Sequence, residues 1–368
     1  MKKLSGIFLS IILLGIFPLS LKDRDIELTK SFNIPDPIPP EQILLDNMTN
    51  EEKVGQLFIF GIEGTTLTKE EKDFLTNNHI GGILLLGKNI SYEQQLKQLI
   101  LDIQSTNNIP LFISIDQEGG KVSRITWDSR LTKAQKDIQN YNDSYITAKE
   151  RGEYLKELGI NMNLAPVVEY ITNTSSFMYN RVYKGTKEEV IQKGKGAVRG
   201  YTDADIISVI KHFPGHDNNA PDSHNSLPVV DITKEQWNEY IQPFSEILKD
   251  TNVPALMVGH IEYPNIDNNP SSLSYEILTK RLVQNLGYTG LIISDDMCMG
   301  AVKNIDTLTN TAKKALTAGN DILIYSTSQI SVQEDTYNYI LQEVNNGDMD
   351  IDIKVLKILR IKIKYNIL

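Results

Sequence analysis

From residue 54 onward the chain alternates between short, continuously apolar runs and longer stretches in which apolar and polar positions mix. The apolar runs are VGQLFIFGI (Val54–Ile62), IGGILLL (Ile80–Leu86), LFISID (Leu111–Asp116), INMNLAPVVE (Ile160–Glu169), IISVIKH (Ile206–His212), ALMVGH (Ala255–His260), LIISDD (Leu291–Asp296) and DILIYS (Asp321–Ser326). An unbroken apolar run of about six residues reads as a strand covered on both faces. The mixed stretches between them read as helices: KEEKDFLTNN (Lys69–Asn78), Ser91–Thr106, a long polar region from about Lys133 to Leu158, Lys187 to about Thr202, SYEILTKRLVQNLG (Ser274–Gly287), Leu308–Ala318, and two more at the C-terminal end. Thr49-Asn50-Glu51-Glu52 has capping-box spacing and predicts a helix start. Eight strand–helix units predict an α/β fold, a (β/α)8 TIM-type barrel forming a single catalytic domain over residues 41–368. An open doubly wound sheet fits less well, because no G-x-G-x-x-G follows the first strand.

The beginning of the chain breaks this alternation. Lys2-Lys3 precede an apolar stretch from Leu4 to Leu21, followed by Lys22-Asp23-Arg24-Asp25. That pattern predicts that residues 1–21 are a signal peptide or an N-terminal membrane anchor, with the rest exported: extracellular, periplasmic or membrane-anchored. Residues 22–40 read as a linker, because Asp36-Pro37-Ile38-Pro39-Pro40 favours extended chain. Composition adds limits. The chain is 40% hydrophobic and 23% charged, as globular proteins are, and its net charge of −10 argues against a large nucleic-acid surface. A single cysteine, Cys298, excludes an intramolecular disulfide and a cysteine metal cluster. A monomer is expected, with no cofactor.

Barrel enzymes place their chemistry at the C-terminal ends of the strands. The polar residues at those ends are Asp116 with Glu118, Glu169, Lys211-His212, His260 and Asp295-Asp296; the loops add Arg124, Arg181, Asp222 and His224. Three of the five histidines lie between Ser208 and Val230. A metal hydrolase is disfavoured, because Pro214-Gly215 between His212 and His216 stops the helix on which their spacing would matter. A serine nucleophile is disfavoured because G-x-S-x-G is absent. Glycosyl transfer fits better. Asp295 or Asp296 can serve as the carboxylate, and His224, oriented by Asp222, can move the proton. Asp116, Arg124, Arg181, Lys211 and His212 can bind sugar hydroxyls.

The motif KHFPGH-x5-DSH over 211–224 resembles the signature of the bacterial β-N-acetylhexosaminidases of glycoside hydrolase family 3. Further segments agree in order: MTNEEKVGQLF (Met48–Phe58), GGILLLGKN (Gly81–Asn89), IDQEGGKVSRI (Ile115–Ile125), NLAPVVE (Asn163–Glu169), MVGHIEYP (Met257–Pro264) and ISDDM (Ile293–Met297). The resemblance is to the single-domain form. It implies that Asp295 is the nucleophile of a retaining reaction, that His224 is the general acid/base with Asp222 as its partner, and that Asp116, Arg124, Arg181, Lys211 and His212 hold the sugar. The implied reaction is exo-hydrolysis of terminal N-acetylglucosamine from cell-wall fragments or chitin oligosaccharides. A phosphorylase using the same site and a non-catalytic sugar-binding barrel are the alternatives. Two departures stand out: Asp217 follows KHFPGH where glycine is usual, and Arg181 is followed by Val182-Tyr183-Lys184.

Overall fold

The computed structural model describes residues 38–218 and 226–368. Eight parallel strands close into a barrel, each hydrogen-bonded to its neighbours in sequence and the first to the eighth. In chain order they are Phe58–Gly61, Gly82–Leu85, Phe112–Ile115, Met162–Asn163, Ile207–Phe213, Ala255–Val258, Leu291–Asp296 and Ile322–Tyr325. The ring closes through Phe58↔Leu323, Ile59↔Ile324 and Phe60↔Tyr325. Apart from Asp295 and Asp296, every strand residue is buried, as expected for strands with the barrel interior on one face and helices on the other.

The helices form where amphipathic spacing and caps coincide. Thr49, Thr68 and Thr186 each make the reciprocal capping box, starting the helices Asn50–Gly55, Lys69–Asn77 and Lys187–Asp203. Lys187–Asp203 packs closely on Tyr141–Glu157, and a Cβ at Gly200 would lie 2.3 Å from the Tyr145 carbonyl oxygen. Ile330–Asn345 and Asp352–Lys364 end the chain. No helix among the described residues is long and apolar enough to cross a membrane.

Three expectations need correction. The region from Lys133 to Leu158 is not one helix: Gln135–Asp137 is a single 3-10 turn, and the α-helix runs only from Tyr141 to Glu157. The cause is Gln135, whose amide donates to Val167 O at 2.9 Å and accepts from Val167 N at 3.0 Å, drawing the segment onto the barrel. The fourth strand is Met162–Asn163 alone; past it Pro166 has no N–H to give and Val167 bonds the Gln135 side chain in place of a strand on one side, while still bridging Lys211 on the other. Pro40 opens the helix Pro40–Asn47 rather than ending the linker; the first helical turn tolerates proline, having no N–H partner to lose. The expected segment 1–21, and residues 22–37 of the expected linker 22–40, lie outside the described residues.

Candidate active site

The C-terminal end of the barrel holds a cavity of about 300 Å³. Asp116, Arg124, Arg181, Lys211, His212 and Asp295 all line it, although they are spread over 180 positions of sequence. Asp222 and His224 lie outside the described residues. The apolar wall includes Phe177, Met257 and Met299, for which the sequence offered no signal.

The third strand delivers Asp116 to the rim, and a tight turn brings Arg124 back beside it. Gly119 and Gly120 have φ of +90° and +62°, and a Cβ at Gly119 would lie 2.0 Å from the Lys133 carbonyl oxygen, so this turn requires glycine. Buried Gln117 clamps the returning segment: its side chain accepts from Arg124 N and Ile125 N and donates to Ile125 O and Leu131 O, all at 2.9–3.0 Å. Arg151 donates to Glu118 O at 2.9 Å and Lys133 O at 2.7 Å, bracing the turn from behind.

The fifth strand carries Lys211 and His212. Consecutive strand residues ordinarily face opposite ways. Here the pairing with the sixth strand slips between Ile210 and Phe213, and both side chains reach the cavity. Lys211, 1% exposed, donates to Asp116 Oδ1 at 2.7 Å and pairs with Glu118 Oε1 at 2.8 Å. Glu118 receives Arg181 in a fork, from Nε at 3.0 Å and from a terminal nitrogen at 2.7 Å. Arg124 completes the cluster at 3.3 Å from Asp116 Oδ2. Burial alone would raise the Asp116 and Glu118 carboxyls; Lys211, with Arg124 at Asp116 and Arg181 at Glu118, overrides it and holds both below the usual carboxylate range. Burial would likewise lower Lys211, and the two carboxylates instead raise it. Val182, which departs from the family pattern, and Tyr183 are buried away from the cavity, with Tyr183 Oη 3.2 Å from Ser144 Oγ; Arg181 keeps its place in the cluster.

The seventh strand ends in two carboxylates with different surroundings. Asp296 accepts from Cys298 N and Ser326 N, each at 3.0 Å, and from the Ser326 hydroxyl, so it ties the seventh strand to the eighth. Among the described residues Asp295 accepts one hydrogen bond, from Asp296 N at 2.8 Å. Burial works against its ionisation, but the nearby rings of His212 and His260, that N–H and Lys211 bring its carboxyl below the usual value. His260 stands behind, donating from Nε2 to Asp296 O at 3.1 Å.

Glu118 and Glu169 are the residues whose parts sequence reasoning left open. Glu169 accepts from His212 N, His216 N and both imidazole Nδ1 atoms. Pro214-Gly215 does keep this segment out of a helix, as expected, but helical spacing is not what joins the two histidines. The loop itself brings the rings together, with centroids 5.5 Å apart and donor atoms of Glu169, His212 and His216 within 4.8 Å of one another. This donor set has the chemistry of a metal centre. Each carboxylate oxygen already accepts one backbone and one ring N–H, so hydrogen bonds complete the cage.

Comparison with known proteins agrees with this architecture. Residues 49–361 match the description "Glycosyl hydrolase family 3 N terminal domain". The chain is 32% identical over 286 residues to beta-hexosaminidase A of Pseudoalteromonas piscicida, covering 71% of this chain and 48% of that protein. It is 31% identical over 291 residues to a beta-hexosaminidase of Nitrosomonas eutropha, covering 74% and 81% respectively. The solved structure of a family 3 beta-N-acetylglucosaminidase from Paenibacillus superposes with a TM-score of 0.82 at 31% identity, over 87% of this chain and 63% of that one. The chain thus spans about half the length of the first relative and under two thirds of the last. Given a match over most of its length and the barrel that carries it, the chain belongs to glycosyl hydrolase family 3.

Proposed function

We propose that the protein is a retaining exo-β-N-acetylglucosaminidase that removes terminal N-acetylhexosamine from cell-wall fragments or chitin oligosaccharides. The observation that carries the reading is the contrast between neighbours: both line the cavity, but the Asp296 oxygens accept from Cys298 and Ser326 and tie two strands together, while among the described residues Asp295 accepts only from Asp296 N. A nucleophile needs an ionised carboxylate with an oxygen free to approach the sugar. Asp295 attacks the anomeric carbon as His224, oriented by Asp222, gives a proton to the departing oxygen; the glycosidic bond breaks and a glycosyl ester forms. Water then gives its proton to His224 and attacks the same carbon, the ester bond breaks, and the β-configured sugar leaves. Asp116, Arg124, Arg181, Lys211 and His212 bind the sugar hydroxyls. In support, Arg124 Nε is buried with no hydrogen-bond partner among the described residues.

The test is release of 4-nitrophenol from its β-N-acetylglucosaminide, with and without inorganic phosphate. Wild type should turn over without phosphate, and Asp295→Ala should lose roughly three orders of magnitude or more in kcat. Formation of the sugar 1-phosphate would overturn hydrolysis, and an active Asp295→Ala would overturn the assignment of the nucleophile.

A further inference from the structure

The buried groups around the cleft either reach the cavity or only hold those that do. Glu169 is of the second kind. It is 2% exposed and does not line the 300 Å³ cavity. Oε1 accepts His212 N at 3.1 Å and His212 Nδ1 at 2.6 Å; Oε2 accepts His216 N at 2.6 Å and His216 Nδ1 at 3.1 Å. Paired with two imidazoles, its carboxyl stays ionised despite burial, held well below the usual range. An ionised carboxylate can only accept, so both rings carry a proton on Nδ1. A free neutral imidazole prefers its proton on Nε2, so the cage selects the less common form twice.

The other ring nitrogens follow. His212 Nε2 lies 3.5 Å from a terminal nitrogen of Arg181, which can only donate, so this Nε2 carries no proton and its lone pair is engaged only by that long contact, which a closer donor can displace. His260 has the opposite arrangement: its Nε2–H donates to Asp296 O, and its Nδ1 accepts from Ser272 Oγ at 2.6 Å. His216 stands edge-on between His212 and Phe177, with centroids 5.5 and 5.2 Å away.

We propose that Glu169 is a positioning residue that sets the tautomer of two histidines at once and so presents the Nε2 lone pair of His212 to a hydroxyl proton of the substrate. That the hydroxyl belongs to a sugar rests on the glycosidase reading; the tautomers do not.

The experiment is nitrogen and carbon NMR of the histidine rings in the full chain, assigned by single His→Gln variants, together with kinetics of Glu169→Gln on the aryl N-acetylglucosaminide. In wild type, His212 and His216 should show the Nδ1–H signature and His260 the Nε2–H signature. In Glu169→Gln the first two should shift toward Nε2–H while His260 stays. KM should rise about 30-fold, the effect of stranding one buried hydrogen-bonding group, with kcat changing less than about 3-fold. A wild-type Nε2–H signature at His212 or His216 overturns the proposal, as does a Glu169→Gln protein with unmoved ring signals and unchanged KM. Should Glu169→Gln fail to fold, the wild-type signatures decide alone. A wild type inactive on every N-acetylhexosaminide would sink the glycosidase reading and leave the ring assignments to stand or fall on their own signals.

Discussion

Two lysines, one near each end of the barrel, are buried equally and held oppositely. Lys211, at the open end, is 1% exposed and sits between the carboxylates of Asp116 and Glu118. Lys362, from the last helix, is 0% exposed beneath the closed end. There it donates to two neutral acceptors, Gln56 Oε1 at 2.7 Å and Gly81 O at 3.2 Å, with the Phe112 ring 4.8 Å away. Burial disfavours the ammonium in both places. At Lys211 the carboxylates win and the ammonium is stabilised; at Lys362 no counter-charge opposes burial, and the amine is brought down to about 7. Burial therefore does not decide the protonation state of a lysine here; a counter-charge does. The end that performs the proposed chemistry has the counter-charges.

Breaking the first arrangement should have the largest effect. Lys211→Met leaves two buried carboxylates short of a cation, and should cost about 3–5 kcal/mol in urea unfolding and most of the activity. Next comes the closed end. The folded value of Lys362 lies below its unfolded value of 10.5, so between pH 7 and 10.5 the unfolded chain holds a proton that the folded chain has released. Stability should therefore climb as pH rises through that window, by up to about 1.4 kcal/mol per unit, and Lys362→Met should abolish the slope. Gln56→Glu sharpens the comparison by making the closed end resemble the open one: Lys362 gains a counter-charge, and the slope should flatten with the lysine still present. The smallest change in stability is expected for Arg124→Gln. Its 3.3 Å pair with Asp116 is one-third exposed on the arginine side, so unfolding should move by less than about 1 kcal/mol while KM rises.

Much of this was legible in the sequence, for identifiable reasons. Strands buried on both faces have to be continuously apolar, so all eight could be placed, and barrel topology then carried six scattered polar residues to one cavity. The limits are equally physical. Asp295 and Asp296 are neighbours of the same type, and what separates them is Ser326, thirty positions later on the adjoining strand. Glu169 was visible as an acid at a strand end, but not as the partner of two rings, because that depends on how the Pro214-Gly215 loop turns. The broken helix before Tyr141 follows from a single glutamine bonding to another element. Lys362 occupies the stripe of Val355, Ile358 and Leu359, where an apolar residue would be expected; the stripe marks it as buried, but only the packed structure names its partners.

The cluster of Asp116, Glu118, Lys211 and Arg181 has a consequence for the medium in which the protein works. Mobile ions weaken charge pairs only where they can approach them, and three of these four side chains are 13% exposed or less. Adding sodium chloride to seawater strength or beyond should therefore leave the cluster intact, and an uncharged sugar arriving there should bind about as well in brine as in dilute buffer.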